Sequence, residues 1–161
     1  MDIHIRPLAP QDRTAIVALI PRLLTGLAPW RDTHRWMERI RHSLDAVLEG
    51  KEPNNVLLVA ADTDERVLGF INMSRTTNFS GEPQIYIDDI AVIPEAEGQG
   101  IAKALLDAAE HYARSAGIRV LALDVNAGNT HARSVYSHRG FLEESLRLVK
   151  VLGESDTTPL A

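Results

Sequence analysis

The sequence, 161 residues long, contains no cysteine. Disulfide frameworks, thiolate-ligated zinc, iron–sulfur clusters and a cysteine nucleophile are therefore excluded together. The same absence fits a reducing compartment, so a cytoplasmic location is expected. Basic charge is not in surplus either: 17 Lys and Arg stand against 22 Asp and Glu, a net charge of −5. A nucleic-acid surface wants a basic stripe, so no nucleic-acid partner is expected. Long hydrophobic runs are also missing. Such stretches as there are, Thr14 to Pro21 and Val56 to Ala61 among them, are too short to cross a bilayer. Asp2, Arg6, Asp12 and Arg13 interrupt the N-terminal apolar residues, so neither a secretory leader nor a membrane partner is expected.

What is present is an ordinary globular composition, 45% hydrophobic and 24% charged. The length suits one domain, expected over residues 1–152, followed by a polar tail over 153–161. No internal repeat and no linker stands out.

The periodicity of the apolar residues orders the elements. Ile3 to Arg6 alternates as a short strand. A helix is expected after Pro10 with Ile16, Leu19, Ile20, Leu23 and Leu24 on its apolar face, broken near Ile20 by Pro21. A second helix starts at Asp32 or Thr33, buries Trp36, Ile40, Leu44, Val47 and Leu48, and stops at Gly50. Three strands follow at Val56 to Ala61, Val67 to Ser74 (Gly69 marking a bulge) and Gln84 to Ile93. The third is apolar on both faces, as a central strand is. A helix over Ile101 to Ala116, a strand over Ile118 to Val125, a helix over Thr130 to Arg139 and a last strand over Leu146 to Leu152 complete the order. The fold class this predicts is α/β with a mixed, mostly antiparallel central sheet flanked by helices.

The richest chemistry lies in the turn Glu95-Ala96-Glu97-Gly98-Gln99-Gly100-Ile101-Ala102-Lys103, between a strong strand and a strong helix. Glycines there let backbone N–H groups converge, and the helix N-terminus adds positive potential, a geometry that binds phosphate. Two common nucleotide fingerprints are absent. A dinucleotide-binding turn needs a third glycine where Lys103 stands, and a P-loop needs Lys-Ser/Thr directly after Gly100.

Glu97 to Ala102 resembles the Arg/Gln-x-x-Gly-x-Gly/Ala motif of the GNAT superfamily of acetyl-CoA-dependent N-acyltransferases. The strand before it, Tyr86 to Glu95, is similar to that family's acetyl-CoA strand. Asn129 to Tyr136 and Gly140-Phe141 resemble its second signature, an Asn followed by a Tyr-bearing helix that ends in Gly-Phe. The resemblance implies acetyl-CoA as cosubstrate, with no metal. Backbone groups of Ile90, Ala91 and Val92 would hold the pantetheine arm, N–H groups of Gly98, Gln99, Gly100, Ile101 and Ala102 the pyrophosphate, and Asn129 the pantetheine again. Tyr136 would lie near the sulfur and protonate the departing thiolate. The partner implied is an amine acceptor, a small molecule or a protein amino group, and a homodimer is left open.

An amine is mostly protonated at neutral pH, so a base must take its proton. Asp88 is the candidate, through a water, from a position where relatives often carry Glu; Glu82 and Glu144 are weaker ones. Asp89 is expected on the opposite face, because strand side chains alternate. Glu97 departs from the motif: a carboxylate stands where the family has Arg or Gln, expected to turn to solvent so that only its N–H counts. It is the one feature that favours the alternative, an acyl-CoA-binding sensor or docking module without turnover. His131 and His138 lie seven apart on one helical face, and with no Cys beside them they read as surface histidines. Without cysteine there is no acyl-cysteine intermediate, so direct transfer in a ternary complex is the expected route.

Overall fold

The computed structural model describes residues 2–152. Short apolar runs in the first half of the chain build most of the sheet. Strands β1 (Ile3–Pro7), β2 (Asn55–Asp62), β3 (Val67–Thr77) and β4 (Pro83–Val92) pair antiparallel in chain order. Strand β5 (Leu121–Leu123) then joins β4 in parallel, giving a five-stranded mixed sheet in the order β1-β2-β3-β4-β5. A parallel pair needs a crossover, and helix α3 (Ile101–Ser115) supplies it.

Helices cover both faces. On one, α1 (Arg13–Ala18) and α2 (Thr33–Leu48) bring Ile16 and Leu44 onto Leu57, Val59, Phe70 and Ala91. On the other, α3 lays Ile101, Leu105, Leu106, Ala109 and Ala113 on Ile71, Met73, Ile85 and Ile87. Helix α4 (Thr130–His138) adds Val135 and Tyr136 to that second cluster. Each fully buried Leu or Ile contributes roughly 1.5–3 kcal/mol of hydrophobic free energy.

Proline breaks the first helix as expected. Helix α1 stops at Ala18, and Ile20–Leu24 continues as a tighter 3-10 turn with Pro21 near its start, where a missing N–H costs least. Asp32 caps α2 by accepting the Arg35 N–H at 3.0 Å. One expectation fails there: Trp36 is 42% exposed, and Met37 takes its place beside Ile40, Leu44, Val47 and Leu48. Spacings of three and four from Met37 track the 3.6-residue turn, whereas strict fours from Trp36 drift around the helix.

Two strands differ from the sequence reading. The strand expected over Ile118 to Val125 is only Leu121–Leu123, because Ile118 instead turns into the core and donates its N–H to Ala113 O at 2.9 Å. The strand expected over Leu146 to Leu152 is absent, and Leu146 and Leu148 are exposed. An apolar run makes a strand only beside a ladder partner, and β5 offers an edge of three residues. The polar tail expected over 153–161 lies outside the described residues. Among the described residues no helix is long and apolar enough to cross a membrane.

Gly69 holds β3 against β4. A Cβ there would sit 2.6 Å from Ala91 O and 3.3 Å from Ile101 Cγ2. The irregularity expected beside it is found as a register shift between β2 and β3, which leaves Leu68 without a partner on β2. Gly69→Ala should therefore cost about 1–3 kcal/mol by overpacking. Chemical denaturation checks this, and an unchanged midpoint would show that β4 can move aside freely.

Candidate active site

Strand β4 carries a bulge at its centre. Asn72 of β3 lies opposite Asp89, and the next residue, Met73, lies opposite Ile87, so Asp88 has no partner. A bulge bends a strand and increases its twist. Strand β5 follows β4 only along Ile85 to Ile87. Beyond the bulge, Asp89 to Val92 stay paired with β3, but among the described residues no strand lies on their other side. The two parallel strands part there and leave backbone groups of β4 open.

The turn after β4 lies at the same end. Gly98 (φ +72°) and Gly100 (φ +83°) adopt left-handed conformations that side chains resist. The Glu97 N–H donates to Pro94 O at 3.2 Å, and the Gln99 N–H to Ala96 O at 3.4 Å. Among the described residues no backbone carbonyl takes the N–H groups of Gly98, Gly100, Ile101, Ala102 or Lys103. These donors, at the positive end of a fifteen-residue helix, form a cradle for an anion. The Glu97 side chain is exposed, but not alone there. Its carboxylate pairs with the guanidinium of Arg22, from the 3-10 turn between α1 and α2.

The bulge also overturns the expectation that Asp88 and Asp89 face apart. An unpaired residue interrupts the alternation, so Ile85, Ile87, Ile90 and Val92 all pack on the α3 side. Asp88 and Asp89 fall together on the α1–α2 side. Asn72, almost fully buried, donates its Nδ2 to Asp89 at 2.9 Å and accepts the Asn55 Nδ2 at 3.0 Å. Asn55 Nδ2 also reaches Asp88 Oδ2 at 3.4 Å. Both carboxylates thus belong to one network.

Their acidities follow. The Asp88 side chain opens to solvent at one edge. The protein around it still strips water from the charged form, the neighbouring Asp89 repels it, and a Ser74 hydrogen bond only partly offsets this; its carboxyl is pushed up to about 6. Asp89 is raised too, chiefly by burial, against the hydrogen bond from Asn72. Beside them Tyr86 is held protonated by burial and by the carboxylate of Asp124.

The remaining candidates are distributed differently. Tyr136 packs edge-on against Phe141, ring centroids 5.6 Å apart, within the α3-side cluster. Burial raises its phenol above the usual value. It makes no hydrogen bond to either aspartate; the carboxylates and the phenol stand on opposite sides of the sheet. Asn129 caps α4 by accepting the Ala132 N–H at 3.1 Å, which leaves its NH2 without a partner among the described residues. Gly26 packs so closely on this loop that a Cβ would lie 2.2 Å from the Asn129 nitrogen. Asn126 Nδ2 donates to Thr25 O at 3.1 Å, fastening the segment after Arg22 to the loop after β5. Glu82 is engaged with Asn78 and Ser80 inside the β3–β4 turn, and Glu144 sits in the exposed segment after α4. His131 and His138 line a groove with Lys103 and Arg139 between α3 and α4.

Sequence reasoning missed Arg22, Asn55, Asn72, Ser74, Tyr86 and Asp124. Asn72 had a visible signal, an amide inside the apolar run from Val67 to Met73. Arg22 had none, since only the fold brings it to Glu97.

The chain is similar to known proteins. Residues 19–141 match the model of the acetyltransferase (GNAT) family. An uncharacterized N-acetyltransferase of Bacillus subtilis, YhfO, is 35% identical over 103 residues, 63% of this chain and 67% of the relative. A mycothiol acetyltransferase of an Arthrobacter species is 36% identical over 87 residues, 52% of this chain but 26% of that protein. The matched part of the chain thus spans about two-thirds of the first and a quarter of the second. The solved structure of a putative acetyl transferase from Pyrococcus furiosus superposes with a TM-score of 0.76 at 24% identity, covering 94% of this chain and all of that one. With a parted β4–β5 pair, a Gly-rich turn opening α3 and the family match over most of its length, the chain belongs to the acetyltransferase (GNAT) family.

Proposed function

We propose that the protein transfers an acetyl group from acetyl-CoA directly to a primary amine in a ternary complex. The observation that carries this is the pairing of two open backbone features at one end of the sheet. The unpaired side of β4 at Ile90, Ala91 and Val92 offers strand-like hydrogen bonds to a pantetheine amide chain. Next to it, the free N–H groups of Gly98, Gly100, Ile101 and Ala102 offer a diphosphate site. Asn129 adds its free NH2 on the far side of the gap. No metal is needed for any of these contacts.

Asp88 takes the proton of the acceptor ammonium through a water. A carboxyl near 6 is ionised at neutral pH yet more basic than an ordinary aspartate, which suits that task. The amine nitrogen then attacks the thioester carbonyl carbon, the C–S bond breaks, Tyr136 hands its phenolic proton to the leaving sulfur, and the proton shed by the new amide nitrogen restores the phenol through water. A phenol above 10 is a weaker acid than a thiol near 8.5, so the transfer gains only as negative charge builds on sulfur. Its contribution is accordingly moderate. Tyr136→Phe should lower kcat about tenfold to a hundredfold with little change in KM for acetyl-CoA; unchanged turnover removes the acid role.

A binding-only module drew its support from Glu97. With Arg22 on that carboxylate the repulsion is answered, which favours the enzyme. The chain has no thiol of its own, so a thiol-reactive dye reports released CoA without protein background. Release with at least one member of a broad amine panel is expected. Acetyl-CoA binding with no release from any amine would leave the non-catalytic module.

A further inference from the structure

We infer that Arg22 is a cofactor-binding residue, whose guanidinium gives the acetyl-CoA diphosphate the side-chain cation that the Gly-rich turn itself lacks. This rests on the acetyl-CoA reading above and extends it to a residue on a different element. Glu97, immediately before Gly98, carries the wrong charge for a phosphate neighbour. Unanswered, it would oppose the free N–H groups beside it at close range, where few water layers screen the repulsion. Arg22 sits on it.

Simple neutralisation does not exhaust what this arginine can do. A guanidinium carries five N–H donors in a planar fork, and one carboxylate uses at most two. Among the described residues Glu97 is the sole partner of the Arg22 side chain, so donors remain. The side chains of Arg22 and Glu97 are 37% and 48% exposed, so the pair lies at the rim of the turn, within reach of an anion arriving from solvent. Lys103, in the first turn of α3, is already engaged with Asp107 at 2.8 Å one helical turn on.

The backbone around Arg22 is also fixed. Pro21 locks its own φ angle just before Arg22, and three and four residues after Arg22, Thr25 and Gly26 are fastened to Asn126, Gly128 and Asn129. The segment 22–26 therefore runs from the turn to the loop after β5, at both ends of the gap between the parted strands. Glu97 holds the guanidinium beside the cradle before any ligand arrives. That lowers the ordering cost when a phosphate binds.

Calorimetric titration with acetyl-CoA and with S-acetylpantetheine, which has no diphosphate, tests this. Arg22→Ala should weaken acetyl-CoA binding about tenfold or more and leave S-acetylpantetheine binding unchanged. In the double variant Arg22→Ala with Glu97→Gln the weakness should persist. In Arg22→Ala with Glu97→Arg, where the cation moves onto the turn, affinity should return to within about threefold of the wild-type value. Full recovery in the Gln double variant would mean that Arg22 only neutralises Glu97, and would overturn the proposal. An equal loss for both ligands would overturn it too, by showing a general distortion. Wild-type binding with an indifferent Arg22→Ala variant refutes the arginine role alone, whereas no wild-type binding refutes the acetyl-CoA reading itself.

Discussion

Asp88→Asn is expected to lower kcat/KM about a hundredfold or more, the usual range for loss of a general base. The diagnostic is the pH profile. In the wild-type protein the rate should rise through about pH 6 as the Asp88 carboxyl ionises, because only the carboxylate accepts a proton. Asparagine does not titrate, so that acidic limb should vanish while any alkaline limb due to the acceptor amine remains. A variant that is slow but keeps its acidic limb near pH 6 would move the base to another group, with Asp89 next in line.

Stability should respond in the opposite sense. The Asp88 carboxyl is raised in the folded state relative to the unfolded chain, so between about pH 4 and 6 the native protein binds more protons than the unfolded one. Its ionisation therefore opposes folding as pH rises through that window. Asp88→Asn removes the charge and should raise the melting temperature at pH 7 relative to the wild type. A residue whose replacement stabilises the fold and cripples the reaction is held in place for chemistry. An aspartate that served only to pair within the sheet would show loss of stability.

The order of elements was legible because each carries its own local signal. Pro21 ends α1, Asp32 caps α2, alternation marks β1, and short apolar runs between turn residues mark β2 to β4. The failures came where tertiary partners decide. Leu146 to Leu152 is as apolar as β1, but β5 offers it only three residues of edge. Trp36 matched a four-residue spacing, yet Met37 lies on the true helical stripe. Local pattern fixes what an element can bury, not whether a surface is there to receive it.

The site was half legible. Gly98, Gly100 and the start of α3 are contiguous in the chain, so their cradle could be read directly. The placing of Asp89 was misjudged from an assumption of perfect alternation. The apolar residues Ile85, Ile87, Ile90 and Val92 step by two, three and two, and the step of three is the bulge written in the sequence. Its consequence, two adjacent carboxylates on one face, required the register with β3. The Arg22–Glu97 pair joins residues 75 positions apart (97 minus 22) and has no local trace at all.

Asn72→Asp should be the most destabilising of the substitutions considered, costing about 3–5 kcal/mol at pH 7. Asn72 is 2% exposed and gives its amide N–H to Asp89 at 2.9 Å. Replacing that amide by a carboxylate removes the donor and sets a second buried anion against the first, with Asp88 close behind. Among the described residues the Asn55 amide alone hydrogen-bonds this position from the other side, and one neutral donor does not compensate a buried charge. The new carboxyl should answer by staying protonated well above its unfolded value. Above about pH 4 the native variant then binds more protons than its unfolded chain, so its stability falls as pH rises. The variant should accordingly recover much of the wild-type stability near pH 4.5, where a shared proton can restore a hydrogen bond to Asp89. Denaturation midpoints across pH 4.5 to 8 measure this directly. A variant uniformly weakened at every pH would mean that Asn72 contributes shape alone and does not hold the Asp88–Asp89 pair.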